Sequence, residues 1–259
     1  MSLQVLVATM NQIDHSLLDK MNIQSDAIIV NQCDKNNIEE FFYKGNKIKF
    51  LSFAERGVGL SRNNALMRAT ADICVLADDD IVFEDGYVEK IKRWFKDYPQ
   101  IDIIIFNLNE SPRRRYVIEK PFRVGFHNFM RFGATRIAFR RKSITRSGIT
   151  FNLHFGGGAE FSAGEDTLFI YDCLKHKLKI LAVPETIATL TNSRDSSWFK
   201  GYTDKYFYDR GALFASISKK WAWLLCLQFV IRHNKKFRND KTMREAFWLM
   251  LKGIKAIKG

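Results

Sequence analysis

The stretch ICVLADDDIVFED, residues 73–85, runs four apolar residues of a buried-strand type into three consecutive aspartates. Folding asks for no such run, because adjacent carboxylates repel and raise one another's pKa unless a cation lies between them or water surrounds them. Two readings follow. One is an exposed acidic turn. The other is a strand end that delivers Asp78, Asp79 and Asp80 to a divalent cation, whose shell substrate phosphates and water complete. The second belongs with an open α/β sheet, in which ligands bind outside the carboxyl ends of the strands.

Working outward, Val5–Ala8, Ala27–Val30, Ile48–Leu51, Ile103–Phe106 and Ile137–Phe139 read as further strands, and Ile180–Val183 as another, ended by Pro184. Their nearly continuous apolar character is expected of strands covered on both faces. Helical patterns lie between them. Ser61 is placed to cap a helix carrying Ala65, Leu66 and Ala69, while Val88, Ile91, Trp94 and Phe95 form the inner stripe of a helix ending near Pro99. Asp166–Lys175 reads as another helix. The alternation predicts an α/β, Rossmann-like, doubly wound and mostly parallel sheet with helices on both faces. Residues 1–215 form the expected catalytic domain and 216–259 a basic, helical C-terminal extension.

The 259 residues carry 41 Lys plus Arg against 28 Asp plus Glu, a net charge of +13, and are 46% hydrophobic. That excludes a disordered tail or a mini-protein. The charge is localised: residues 111–146 hold 11 basic residues and one acid, and residues 219–259 hold 11 basic residues and two acids, leaving an acidic remainder. Each segment has a solvated-face reading, and together they suggest an anionic partner. In the second, Lys219 and Lys220 precede an apolar run from Trp221 to Ile231 interrupted by Gln228, and Met243, Phe247, Met250, Leu251, Ile254 and Ile257 follow at helical spacing. The segment either packs this stripe on the domain or meets a membrane surface. No run is long enough to span a bilayer, and MSLQVLVATMNQ reads as a first strand rather than a secretory signal, so the expected location is cytoplasmic. Cys33, Cys74, Cys173 and Cys226 show no metal or disulfide spacing and are expected to be reduced and buried.

Two further motifs carry chemistry. Gly164-Glu165-Asp166 follows the Gly156-Gly157-Gly158 loop and opens an apolar helix, where the dipole and free amides hold a carboxylate ionised. It reads as a cap or as a proton acceptor. Glu55 to Asn63, ERGVGLSRN, offers close backbone approach and two arginines, and by itself reads as a loop-to-helix turn.

In this order the motifs make the chain resemble the family 2 inverting glycosyltransferases of GT-A fold, bacterial enzymes of surface-glycan assembly. The resemblance covers roughly residues 3 to 200 and rests on VLVATMN, Asp34, GVGLSRNNAL, LADDDI as the DXD motif and GEDTLF. It implies that Thr9, Asn11, Asp34, Arg56 and Arg62 surround the nucleoside, that Asp78 and Asp79 serve the donor, and that Asp80 ligates Mn²⁺ or Mg²⁺. Asp166 is the implied catalytic base, with Glu165 beside it contacting acceptor or donor sugar. Ala77 stands where many members carry a first acid, and Asn192 where some carry a histidine ligand.

The implied reaction is transfer of a hexosyl or N-acetylhexosaminyl unit from a nucleotide-sugar, with UDP the expected carrier, to a glycan or polyprenyl-diphosphate-linked acceptor, with inversion. The basic segment from Arg113 to Arg146 is expected on the acceptor side, with an anionic membrane surface as a further partner. A sugar nucleotidyltransferase is the nearest alternative, but it wants a glycine-rich basic loop after the first strand, and VATMNQIDHS is not one. A nucleic-acid-binding protein could use the 22 phenylalanines and basic runs, but shows no RNP, KH or zinc motif, and its aspartates would repel a phosphate chain.

Overall fold

Alternate residues of the central strands point to opposite faces, and both faces are apolar. In a computed structural model describing residues 1–111, 116–191 and 201–258, β1 (Leu3–Met10), β2 (Asp26–Gln32) and β5 (Ile73–Asp78) show the pattern. Leu3, Val5, Val7, Ala27, Ile29, Ile73 and Val75 enter one core, whereas Leu6, Ile28, Val30, Cys74 and Leu76 enter the other. The first core is closed by α1 (Leu17–Lys20) and α3 (Tyr87–Asp97), the second by α2 (Val58–Arg68), α4 (Arg141–Ser147) and α5 (Glu165–Lys175).

The remaining strands are β3 (Asn37–Tyr43), β4 (Asn46–Phe53), β6 (Ile81–Phe83), β7 (Ile103–Asn109), β8 (Phe122–Val124), β9 (Ile137–Arg140) and β10 (Ile180–Leu190). They complete a 10-stranded sheet of order β3-β4-β2-β1-β5-β9-β7-β10-β6, with β8 paired to β10. β1, β2, β4, β5, β7 and β10 run the same way, and β3, β6, β8 and β9 oppose them. The expected doubly wound, mostly parallel sheet is present as a mixed one.

Two local expectations are corrected. The helix expected to start from a Ser61 cap begins a turn earlier, with Gly57 as the cap residue, and Ser61 lies buried inside it. The strand expected to end at Pro184 continues to Leu190; it tolerates the proline because its pairing with β7 shifts register between Ala182 and Thr186.

The C-terminal helices α6 (Asp204–Ile217), α7 (Ala222–Phe237) and α8 (Met243–Lys258) share a core of their own that includes Phe207, Phe214, Cys226, Val230, Phe237, Ala246, Met250 and Ile254. A smaller cluster, Phe155, Phe161, Leu168, Ala212 and Leu213, fastens α6 to the loop before α5. Met250 and Ile254 thus pack inward, as the packing reading of that stripe expected, while Trp221, Trp223, Leu224, Ile231 and Trp248 are exposed. All four cysteines are free and buried. Among the described residues, no helix is long and apolar enough to cross a membrane.

Candidate active site

The carboxyl ends of the parallel strands converge on one edge, as an open α/β sheet requires. β1 ends at Thr9 and Met10, and β5 pairs with it so that Asp78 lies opposite Ala8. Thr9, nearly buried, donates from its hydroxyl to Asp79 Oδ2 at 2.6 Å and accepts from Gln12 Nε2 at 2.9 Å. The backbone carbonyl of Asp80 accepts from the backbone N–H and hydroxyl of Thr191, tying the aspartate turn to the end of β10.

The two acid motifs meet on Arg62. This side chain is 3% exposed; Nη2 donates to Asp78 Oδ1 and Oδ2 at 2.9 and 3.2 Å, and Nη1 donates to Glu165 Oε1 at 3.0 Å and Asp166 Oδ1 at 2.6 Å. Burial works against the guanidinium charge, but Asp78, Asp166 and Glu165 outweigh it and hold the pKa above its ordinary range. One cation cannot balance three carboxylates. Burial and the nearby Asp166 charge accordingly push the Glu165 carboxyl up to about 7, against the pull of Arg62, and burial also raises Asp78.

Asp166 is fixed from two sides, since its Oδ2 accepts the backbone N–H of Ala134 at 2.8 Å while Oδ1 faces Arg62. The glycine loops explain how the motifs approach. Gly156 has φ +108, and a Cβ there would lie 2.6 Å from Val58 Cγ1 and 2.9 Å from Glu165 Cδ, so any side chain would separate the start of α2 from the start of α5. The Gly157 carbonyl accepts the Val58 N–H at 2.9 Å, which joins the start of α2 to the glycine loop.

At the outer rim, Arg56 donates to Asp34 Oδ1 at 2.6 Å and to the Cys33 carbonyl at 2.7 Å, with Asp34 almost fully exposed. Asn11 is exposed in a left-handed turn at φ 55, its N–H bonded to the Gln32 carbonyl.

The profile of glycosyl transferase family 2 matches residues 9–158, more than half of the chain. The chain belongs to glycosyl transferase family 2. No curated protein matches it. Among solved structures it is similar to S. aureus TarS 1-349 in complex with UDP-GlcNAc, at 14% identity and a TM-score of 0.68, covering 99% of this chain and 84% of that one. The complex of TarS 1-349 with UDP gives 14% identity and a TM-score of 0.65, with 99% and 83% covered. Against the longer S. aureus TarS the values are 14% and 0.63, and this chain spans 46% of that one. The likeness gives the GT-A fold; the family gives a glycosyltransferase that uses a nucleotide-sugar.

In this family 2 enzyme, Thr9, Asp78, Asp79 and Asp80 stand at the strand ends, and Arg62, Glu165 and Asp166 join them. Asp34 and Arg56 pair with each other at the rim. Arg62 donates to Asp78, Glu165 and Asp166, whereas Arg56 donates to Asp34 and the Cys33 carbonyl. Asn192 and Arg113 lie outside the described residues. Sequence reasoning missed Gln12, which braces Thr9, and the Ala134 amide on Asp166; Gln32, a polar residue at the end of β2, accepts the Gly57 N–H at its Oε1 at 2.7 Å. A backbone amide leaves no residue-type signal.

Among the described residues, no group of three or more His, Cys, Asp or Glu is arranged to hold a metal ion by itself. The all-oxygen donors at the β5 end still fit a hard divalent cation of the kind bound by one or two carboxylates and completed by substrate phosphates and water.

Proposed function

We propose that the chain transfers one sugar unit from a UDP-linked donor to an acceptor hydroxyl by a single in-line displacement with inversion at the anomeric carbon. The observation that supports this reading is the Arg62 bridge, by which Asp78 at the end of β5 meets the Glu165–Asp166 motif. Asp166 is the base: with Oδ1 on Arg62 and Oδ2 on the Ala134 amide, its carboxylate is held in one orientation and keeps lone pairs for the acceptor proton. Thr9, bonded to Asp79, would orient that carboxylate toward the donor, and the paired Asp34 and Arg56 would meet the uracil end. Asp80 would hold Mn²⁺ or Mg²⁺ together with the diphosphate, and a cation bound there supplies charge neutralisation for the departing UDP.

TarS was solved with UDP-GlcNAc and with UDP, which favours an N-acetylhexosaminyl donor here. The acceptor is a glycan or a polyprenyl-diphosphate-linked glycan, met on the basic side of the cleft at the inner face of an anionic membrane. Asp166→Asn should lower transfer at least a thousandfold while UDP binding, followed by calorimetry, stays within about threefold. Full activity in that variant removes the base. Release of pyrophosphate in place of UDP would make the enzyme a nucleotidyltransferase instead.

A further inference from the structure

The helix α7 is buried along Ala222, Cys226, Val230 and Phe237, which pack into the C-terminal helical core. Opposite this stripe, Leu224, Gln228, Ile231 and Lys235 recur at three- and four-residue spacing and share one outward face. Leu224 is 42% exposed, Ile231 60%, and Trp221 and Trp223 at the start of the helix 52% and 51%. A soluble helix ordinarily turns polar residues to that side. This one turns leucine, isoleucine and tryptophan outward and surrounds them with cations. From Lys219 to Asn239 there are six Lys and Arg residues and no acid, and the Lys220 ammonium lies 5.3 Å from the centre of the Trp221 ring.

We infer that the outward face of α7 is a lipid-docking surface, lying flat in the interface of an anionic bilayer with Leu224, Ile231 and the two tryptophans at acyl-chain level and Lys220, Arg232 and Lys235 among the headgroups. Charge selects the occupant. A second copy of this face would bring like cations together, whereas anionic headgroups neutralise them while the apolar side chains leave water. Among the described residues no helix is long and apolar enough to cross a membrane, and the proposed contact lies along the bilayer surface. The inference deepens the acceptor side of the proposed function and rests on that reading for its purpose: it keeps the cleft beside lipid-linked glycan.

The test is sedimentation of the full chain with vesicles of phosphatidylcholine alone or with 30% phosphatidylglycerol, without donor, alongside UDP release measured in solution. Binding is expected only to the anionic vesicles, falling at least tenfold between 0.1 and 0.5 M salt, with a blue shift of tryptophan emission. Leu224→Ser/Ile231→Ser and Lys220→Glu/Lys235→Glu should each weaken partitioning at least tenfold, with melting temperature and UDP binding unchanged. Absence of binding at 0.05 M salt, equal binding to neutral vesicles, or binding that neither double variant weakens would overturn the surface. So would a concentration-dependent dimer that Leu224→Ser/Ile231→Ser dissolves. None of these outcomes alters the transfer reading, which stands or falls on UDP release.

Discussion

Arg62 Nη1 donates to Asp166 Oδ1 at 2.6 Å from a guanidinium that is itself buried, so the proposed base is oriented by a residue that solvent scarcely reaches. The other nitrogen of the same group holds Asp78 at the end of β5. Removing the cation would leave three carboxylates clustered without a counter-charge, and breaking a buried pair in this way costs about 3–5 kcal/mol. Arg62→Met should therefore lower the melting temperature by roughly 10 °C and abolish activity. Arg62→Lys keeps the charge but not the planar fork, so it should fold and still lose at least tenfold in kcat. Thermal unfolding and steady-state kinetics check both, and a wild-type melting temperature in Arg62→Met contradicts the bridge.

The surplus of acids over cations has a pH signature. With its carboxyl pushed up to about 7 from an ordinary 4.5, mainly by burial, Glu165 holds a proton in the folded state that it gives up when unfolded. The sign follows: this contribution is fully present below about pH 4.5 and is lost as pH rises through 7. Its size is on the order of 3 kcal/mol. Glu165→Gln keeps the shape and the acceptor oxygen but cannot ionise. Its melting temperature relative to wild type should rise between pH 5 and pH 8, and a pH-independent difference would place the titration elsewhere.

The proposed donor site is tested at Thr9. Its hydroxyl donates to Asp79 and accepts from Gln12, so Thr9→Val removes a charge-assisted hydrogen bond at the strand end. Such a bond contributes about 1.5–3 kcal/mol, and loss of Asp79 orientation should raise the UDP Kd about tenfold or more by calorimetry. An unchanged Kd would mean that Asp79 does not face the nucleotide.

The alternation of Val5, Val7, Ala27, Ile29 and Val75 against Leu6, Ile28 and Leu76 made both faces of the sheet legible, because burial on two sides leaves a continuous apolar run. β3 escaped notice for the opposite reason. Among the described residues Asn37–Tyr43 pairs with β4 alone, is half exposed, and closes through Lys44-Gly45, both at positive φ, without the asparagine or aspartate that usually marks such a turn. The acid motifs were visible as residue types placed where folding had no use for them. What joins them was not. Arg62 read as one of two loop arginines, and only tertiary packing, with Gly156 letting α2 and α5 touch, makes it the bridge.

The same kind of close approach governs the C-terminal helices. A Cβ on Gly211 of α6 would strike the Met250 backbone of α8, and one on Gly253 of α8 would strike the Tyr208 carbonyl of α6, so each helix presents a glycine to the backbone of the other. An isolated helix gains up to about 1 kcal/mol from glycine to alanine, but overpacking this contact costs about 1–3 kcal/mol or more. Gly211→Val should therefore lower the melting temperature by several degrees, and Gly253→Ala should do so less steeply. The damage should reach the active site, because Leu213, two residues after Gly211, packs within 3.0 Å of the Cβ position of Gly164, immediately before Glu165. A fall in kcat alongside melting temperature is the expected result. A chain ended at residue 215 should fare worse, since it strips Met250 and Ile254 from Phe207 and Phe214 and exposes a core that α6 shares with α7 and α8. Such a chain should aggregate or melt far below the full protein, and a monomeric, fully active product would make residues 1–215 an independent unit.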